Sequence, residues 1–150
     1  MKIRRLQYGE TIPFDLLLEA DPSIPMIESY FSYDYTFVAE ENGIIVGVYI
    51  LYPLGNDSIE LKNISVLEKY QRQGIGLSML HHAEETAKAG GYKMLIVGTA
   101  DVSHAPLKFY QQYGFRIYGI KKNFVIDNYS EPVYDNGEQC IDMIMLEKEI

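Results

Sequence analysis

The chain has 150 residues, 47% of them apolar and 23% charged, a composition that suits one folded domain and excludes disorder. Its net charge of −8 is uneven: residues 1–60 hold 3 basic and 10 acidic side chains, residues 61–150 hold 10 and 11. No basic stripe suits nucleic acid, the lone Cys140 allows no internal disulfide, and no apolar run approaches a membrane span, so a single cytoplasmic domain over residues 1–150 is expected.

Lys2–Leu6 reads as a short opening strand. Pro13–Glu19 and Ile24–Phe31 read as short helices. Asp21-Pro22 stops the first, and Ser23 caps the second with Pro25 in its first turn. Tyr35–Glu40, Ile44–Tyr52 and Ile59–Val66 form an expected three-strand meander. Asn42-Gly43 turns its first hairpin, Pro53 stops the middle strand, and Gly55-Asn56-Asp57 makes the second turn. The apolar period then changes. Ile75, Met79, Leu80, Ala83 and Ala87 fall on one stripe, predicting a helix over Gly74–Ala89 closed by Gly90-Gly91. Met94–Val97 reads as a buried strand and Ala105–Tyr113 as a helix ended by Gly114. Phe115–Ile120 and Cys140–Leu146 read as the last two strands. Lys121–Gln139, with Pro132 and Gly137, reads as a long loop of the kind that often carries function. This order predicts an α+β (mixed α/β) domain whose central βαβ unit has room for a parallel pair.

The chemistry points to the junction between a strand and a helix, Val66 to Gly76. Its glycines bare backbone N–H groups, and the helix start adds unpaired amides and the positive dipole end. Together they form a cradle for phosphate or pyrophosphate, with Lys69 and Arg72 adding charge at the rim. A dinucleotide loop needs a third glycine where Met79 stands, and the Gly-Lys-Ser/Thr of a P-loop is absent. Two glycines alone are equally compatible with a tight turn.

Gln71-Arg72-Gln73-Gly74-Ile75-Gly76 resembles the Gln/Arg-x-x-Gly-x-Gly/Ala signature of the GNAT N-acetyltransferases. Phe109-Tyr110-Gln111-Gln112-Tyr113-Gly114-Phe115 resembles that family's Phe-Tyr-x-x-x-Gly-Phe block on the following helix, in the same order and approximate spacing. The resemblance implies the GNAT fold, a mostly antiparallel mixed sheet with a splayed parallel pair flanked by helices. It implies acetyl-CoA as co-substrate; no metal is expected, since His81, His82 and His104 lack thiol partners at zinc spacing. Gln71, Arg72, Gln73, Gly74, Ile75 and Gly76 would hold the pyrophosphate, and the backbone of Ile64, Ser65 and Val66 would pair with pantetheine. Tyr110 would protonate the leaving thiolate and Glu60 would act as base. Where the family often has an asparagine, this chain reads Asp101-Val102-Ser103, which assigns Asp101 and Ser103 to the cofactor with a departure in charge.

Only the neutral form of an amine attacks a thioester, and a lysine-like amine is about 0.04% neutral at pH 7. Glu60 therefore reads as a base, directly or through water, as an ammonium anchor, or as a solvated strand carboxylate. Tyr110 reads as the acid or as a core aromatic. His104 reads as a helix-start contact, His81 and His82 as structural, and Cys140 as an inert buried thiol.

The acceptor would be set by the first helices and the loop before the last strand. Both regions carry tyrosines and acids: Tyr30, Tyr33, Asp34 and Tyr35 in one, Asp127, Tyr129, Glu131, Tyr134 and Asp135 in the other. That suits a cationic small amine such as a polyamine or aminoglycoside. The alternatives are a protein or peptide amine, or a sensor that binds CoA without turnover. A homodimer is compatible with exposed strand edges near the C-terminus.

Overall fold

Seven strands form one sheet in the computed structural model, which describes all 150 residues. Strands β1 (Lys2–Arg5), β2 (Thr36–Glu41), β3 (Ile44–Gly55) and β4 (Ser58–Val66) follow one another antiparallel. Strand β5 (Met94–Ala100) joins β4 in parallel, and β9 (Met143–Glu149) lies antiparallel between β5 and the edge strand β6 (Arg116–Lys121). A separate two-strand hairpin pairs β7 (Tyr134–Asp135) with β8 (Glu138–Gln139).

Alternation along the strands gives the sheet two apolar faces. Phe37, Ala39, Tyr49 and Leu51 join one core with α3 (Ile75–Ala89) and with Tyr110 of α4 (His104–Tyr113). Val38, Val48 and Ile50 join the other, with α1 (Phe14–Ala20) and α2 (Ile24–Tyr30). Helices of seven residues are too short to hold alone. Leu16, Leu17 and Ile27 dock them, each burial contributing roughly 1.5–3 kcal/mol.

The feature that positions the site is a bulge in β4. Ile50 pairs with Asn63 and Leu51 with Leu61, so Lys62 is the extra residue. A bulge bends its strand. The parallel ladder ends at the same place: β4 and β5 pair from Ser58 and Met94 only as far as Leu61 and Val97. Beyond it the two strands separate, so the sheet is split between their C-terminal halves. The bulge also resets which face each residue takes. Ile59, Leu61, Ile64 and Val66 share the α3 face, while Asn63 crosses to the α1 face and bonds there.

Several expected boundaries move. Strand β3 does not stop at Pro53 but runs to Gly55; its pairing with β2 ends at Ile50, so Pro53 lies where β3 has a partner strand on one side only. The last strand begins at Met143 and not at Cys140, whose N–H bonds to the Val133 carbonyl instead. Tyr35 ends a short 3-10 turn (Tyr33–Tyr35) ahead of β2. The expected loop Lys121–Gln139 holds α5 (Phe124–Asn128) and the β7–β8 hairpin, which Asn136-Gly137 turns with both residues at positive φ.

Candidate active site

The β4–α3 junction is built from main chain. Gly74 caps α3 at φ 85° with no side-chain cap, and Arg72 is also at positive φ, 63°. A non-glycine residue held there is strained and uncommon. The two left-handed residues coil the backbone, and the amides of Gln73, Gly74, Ile75 and Gly76 donate to no protein acceptor. A Cβ built on Gly74 meets nothing within 4 Å, so the space in front of the helix start is open. Uncapped amides, a dipole end and open space fit an anionic phosphate group.

The split in the sheet supplies an unpaired strand edge. The Leu67 N–H bonds to the Val46 carbonyl at 2.8 Å. Antiparallel alternation therefore turns Ser65 toward β3 and turns Ile64 and Val66 toward the side that β5 has left. Gln71 Nε2 donates to the Val66 carbonyl at 2.9 Å. The Ile64 backbone groups stay free to pair with an extended amide-bearing chain.

A cavity of about 1210 Å³ runs through the split. It is lined by Val66, Arg72, Gly76, Phe109 and Tyr110 around α3 and α4, by Asp21 and Asn63 beside α1 and α2, and by Tyr129, Glu131 and Asp135 from the segment that follows Asn128. Tyr110 is 7% exposed, and its ring packs edge-on to Phe115 with centroids 5.5 Å apart. Its hydroxyl takes no protein partner, and burial raises its pKa above the ordinary phenol value. Tyr110 is thus a protonated donor facing the cavity at neutral pH.

The α1–α2 side is a hydrogen-bonded network of side chains. Asp21, buried at the turn between the two helices, accepts from Tyr30 Oη at 2.8 Å and from Tyr129 Oη at 3.0 Å. Asn63 Nδ2 donates to Tyr30 Oη and to the Leu17 carbonyl, both at 3.1 Å. Burial raises the pKa of Tyr30 and of Tyr129, and the Asp21 charge adds to each shift, so both stay protonated. Ser103 donates to Asp135 Oδ2 at 2.6 Å and fastens the β7–β8 hairpin to the start of α4.

Of the residues singled out by sequence, Tyr110, Ile64, Val66, Gln71, Arg72, Gly76 and Ser103 line the cavity. Gln73, Gly74 and Ile75 line a second depression of about 450 Å³ at the start of α3. Ser65 is buried within β4 and is not in the cavity wall. Asp101 accepts the Ile141 N–H at 3.0 Å, supporting the approach to β9 rather than the cavity. Glu60 is buried, lies 3.3 Å from Lys62 Nζ and is not in the cavity wall. Cys140 lines the cavity, but burial first and then Asp135 and Asp101 raise its thiol pKa, leaving it a poor nucleophile. His81, Glu84 and Glu85 approach one another on α3, yet the Glu84 oxygens are held by Lys148 at 2.7 Å and Lys88 at 3.4 Å. No helix is long and apolar enough to cross a membrane. Sequence reading missed Asn63 and the joint role of Asp21 and Tyr129. Their one visible signal was a tyrosine and an acid in each of two segments that the fold brings together.

Comparison with known proteins agrees with this geometry. A family profile described as "Acetyltransferase (GNAT) domain" matches residues 32–117. A GNAT family acetyltransferase from Elizabethkingia anophelis, solved with acetyl-CoA bound, is 45% identical with a TM-score of 0.94, over 99% of this chain and 97% of that one. The IAA acetyltransferase from Bacillus cereus ATCC 14579 is 41% identical with a TM-score of 0.91, over 99% of each chain. The "Uncharacterized N-acetyltransferase YvbK" of Bacillus subtilis (strain 168) is 35% identical, over 97% of this chain and 96% of its own length. A profile that spans more than half of the chain, and relatives that match nearly all of it, establish that the chain belongs to the GNAT family of N-acetyltransferases.

Proposed function

We propose that this enzyme moves an acetyl group from acetyl-CoA directly to the primary amine of a small cationic acceptor of the polyamine or aminoglycoside kind. Bound acetyl-CoA supplies the acetyl group as a thioester, whose carbonyl carbon bonds to the amine nitrogen as its bond to sulfur breaks. The amides of Gln73 to Gly76 and the Arg72 side chain hold the pyrophosphate. The Ile64 backbone aligns the pantetheine arm along the open edge of β4. Tyr110 gives its phenol proton to the departing sulfur and regains one from the nitrogen, so the proton count closes over the cycle.

The observation that carries the choice of acceptor is the charge of the cavity wall away from the phosphate cradle. Glu19, Asp21, Glu131 and Asp135 line the cavity against two cations, Lys62 and the cradle's own Arg72. Carboxylates with tyrosine faces beside them attract and hold ammonium groups. An acceptor bearing its own carboxylate or phosphate meets repulsion at the same wall.

The test has two arms. Thermal unfolding with acetyl-CoA at about a hundredfold excess over Kd should shift Tm by about 5–11 °C, while ATP and NAD give none. Thiol release is then followed with spermidine, 1,3-diaminopropane, kanamycin, glutamate and a short peptide with a free N-terminus. Faster turnover of the first three supports the reading. Preference for the peptide moves the acceptor to a protein N-terminus, and binding with no thiol released leaves a sensor.

A further inference from the structure

Asn63 is 3% exposed, lines the cavity, and its Oδ1 accepts no hydrogen bond. Buried carbonyl oxygens are rarely left unpaired in native interiors, and each case asks for a donor. The orientation of this amide is fixed by its partners. Nδ2 faces the Leu17 carbonyl, a pure acceptor, so a flipped amide would set oxygen against oxygen. Nδ2 also donates to Tyr30 Oη, which spends its own proton on Asp21, and Asp21 is clamped from its other side by Tyr129. Two segments far apart in sequence, Leu17–Tyr30 and Tyr129, thus hold one side chain in one pose and leave its oxygen without a partner. The bulge at Lys62 places that side chain on the acceptor face, next in sequence to Ile64 at the open edge of β4.

We infer that Asn63 Oδ1 accepts an N–H of the incoming amine and turns the nitrogen lone pair toward the acetyl carbonyl. The inference rests on the reading of the cavity as an amine acetyltransferase site. A neutral oxygen suits this place better than a carboxylate. A carboxylate at the attacking nitrogen would stabilise the ammonium, which cannot react, whereas an amide oxygen holds the free amine without trapping its proton. The carboxylate of Asp21 is accordingly set one hydroxyl away. The geometry also selects among acceptors. A primary amine has one N–H for Asn63 and a second to lose on acetylation. A secondary amine has a single N–H, which cannot be both held and lost. The site is thus built for primary amines.

The experiment compares 1,3-diaminopropane with its N,N′-dimethyl analogue on wild-type enzyme, Asn63→Ala and Tyr30→Phe. Steady-state kinetics are measured, and the acetyl-CoA thermal shift is followed in parallel. Wild type should prefer the primary diamine by tenfold or more in kcat/KM. Asn63→Ala should lower kcat/KM for that diamine by about 10–100-fold, shrink the preference toward unity and keep the acetyl-CoA shift. Tyr30→Phe, a milder change that removes one of the two acceptors of Nδ2 and loosens the amide, should lower it by about threefold to tenfold and serves if Asn63→Ala does not fold. Variant kinetics within twofold of wild type, or no preference for the primary diamine in wild type, overturn the assignment of Asn63 alone. Failure of wild type to acetylate any amine of the panel overturns the acetyltransferase reading of the cavity, and Asn63 falls with it.

Discussion

The two mouths of the cavity are made of different material. The mouth at α3 is main chain: the Gly76 amide, with those of Gln73, Gly74 and Ile75 in the adjoining depression, two left-handed residues and an unpaired strand edge. The mouth at α1–α2 is side chain: Asp21, Tyr30, Asn63 and Tyr129, joined by bonds that span as many as 108 residues. Backbone groups are the same whatever the residue, so they suit a diphosphate and a pantetheine arm that do not vary. Side chains can change one at a time, so they suit an acceptor that differs from enzyme to enzyme. On the proposed reading, the shared half of the reaction falls to one mouth and the particular half to the other.

The change expected to break this division most completely is Gly74→Glu. It places a side chain and a negative charge in the open space before α3 and should abolish the acetyl-CoA thermal shift. Some stability is also lost, since an L-residue at φ 85° costs roughly 1–2 kcal/mol. Gly74→Ala separates the two effects, because it carries the strain without the charge. An acetyl-CoA shift that survives Gly74→Glu would remove the cradle from the mechanism.

Tyr110→Phe comes next, with kcat lowered by roughly 10²-fold and acetyl-CoA binding kept. Because burial raises its pKa, the wild-type kcat profile should show no alkaline fall from this group below about pH 10. Full activity in the variant would return Tyr110 to a packing role.

Asp21→Asn sharpens the contrast from the other mouth. It should raise KM for spermidine by about tenfold, a loss of roughly 1.4 kcal/mol, and leave the acetyl-CoA shift unchanged. A KM increase of the same size for an uncharged acceptor would mean that the substitution had disturbed the wall rather than removed a charge. The smallest effect is expected of Glu60→Gln, less than about threefold in kcat, because Glu60 is itself outside the cavity wall and is paired with Lys62. A loss concentrated at low pH, where free amine is scarcest, would restore Glu60 as the base.

How far each mouth was legible in the sequence follows from the same difference. Gln71 to Gly76 and Phe109 to Phe115 are contiguous, and local spacing suffices to set a glycine turn at a helix start and a tyrosine on the next helix. The meander, the α3 stripe and the order of elements were readable for the same reason, since period and turn residues act over a few positions. The bulge at Lys62 was not readable. A period-two reading runs through it and puts Asn63 on the wrong face, because the extra residue is set by pairing with β3 rather than by β4 itself. Tyr129 fell in a stretch that looked like loop, since helix α5 is only five residues long and is held by its surroundings.

The sequence by itself therefore determined the topology, the glycine turn at the start of α3 and the place of Tyr110 on α4, each fixed by short-range backbone preference. Only the tertiary structure decided the split between β4 and β5, the face that Asn63 takes and the meeting of Asp21 with Tyr129. These depend on strand register and on contacts between distant segments, which no local pattern encodes.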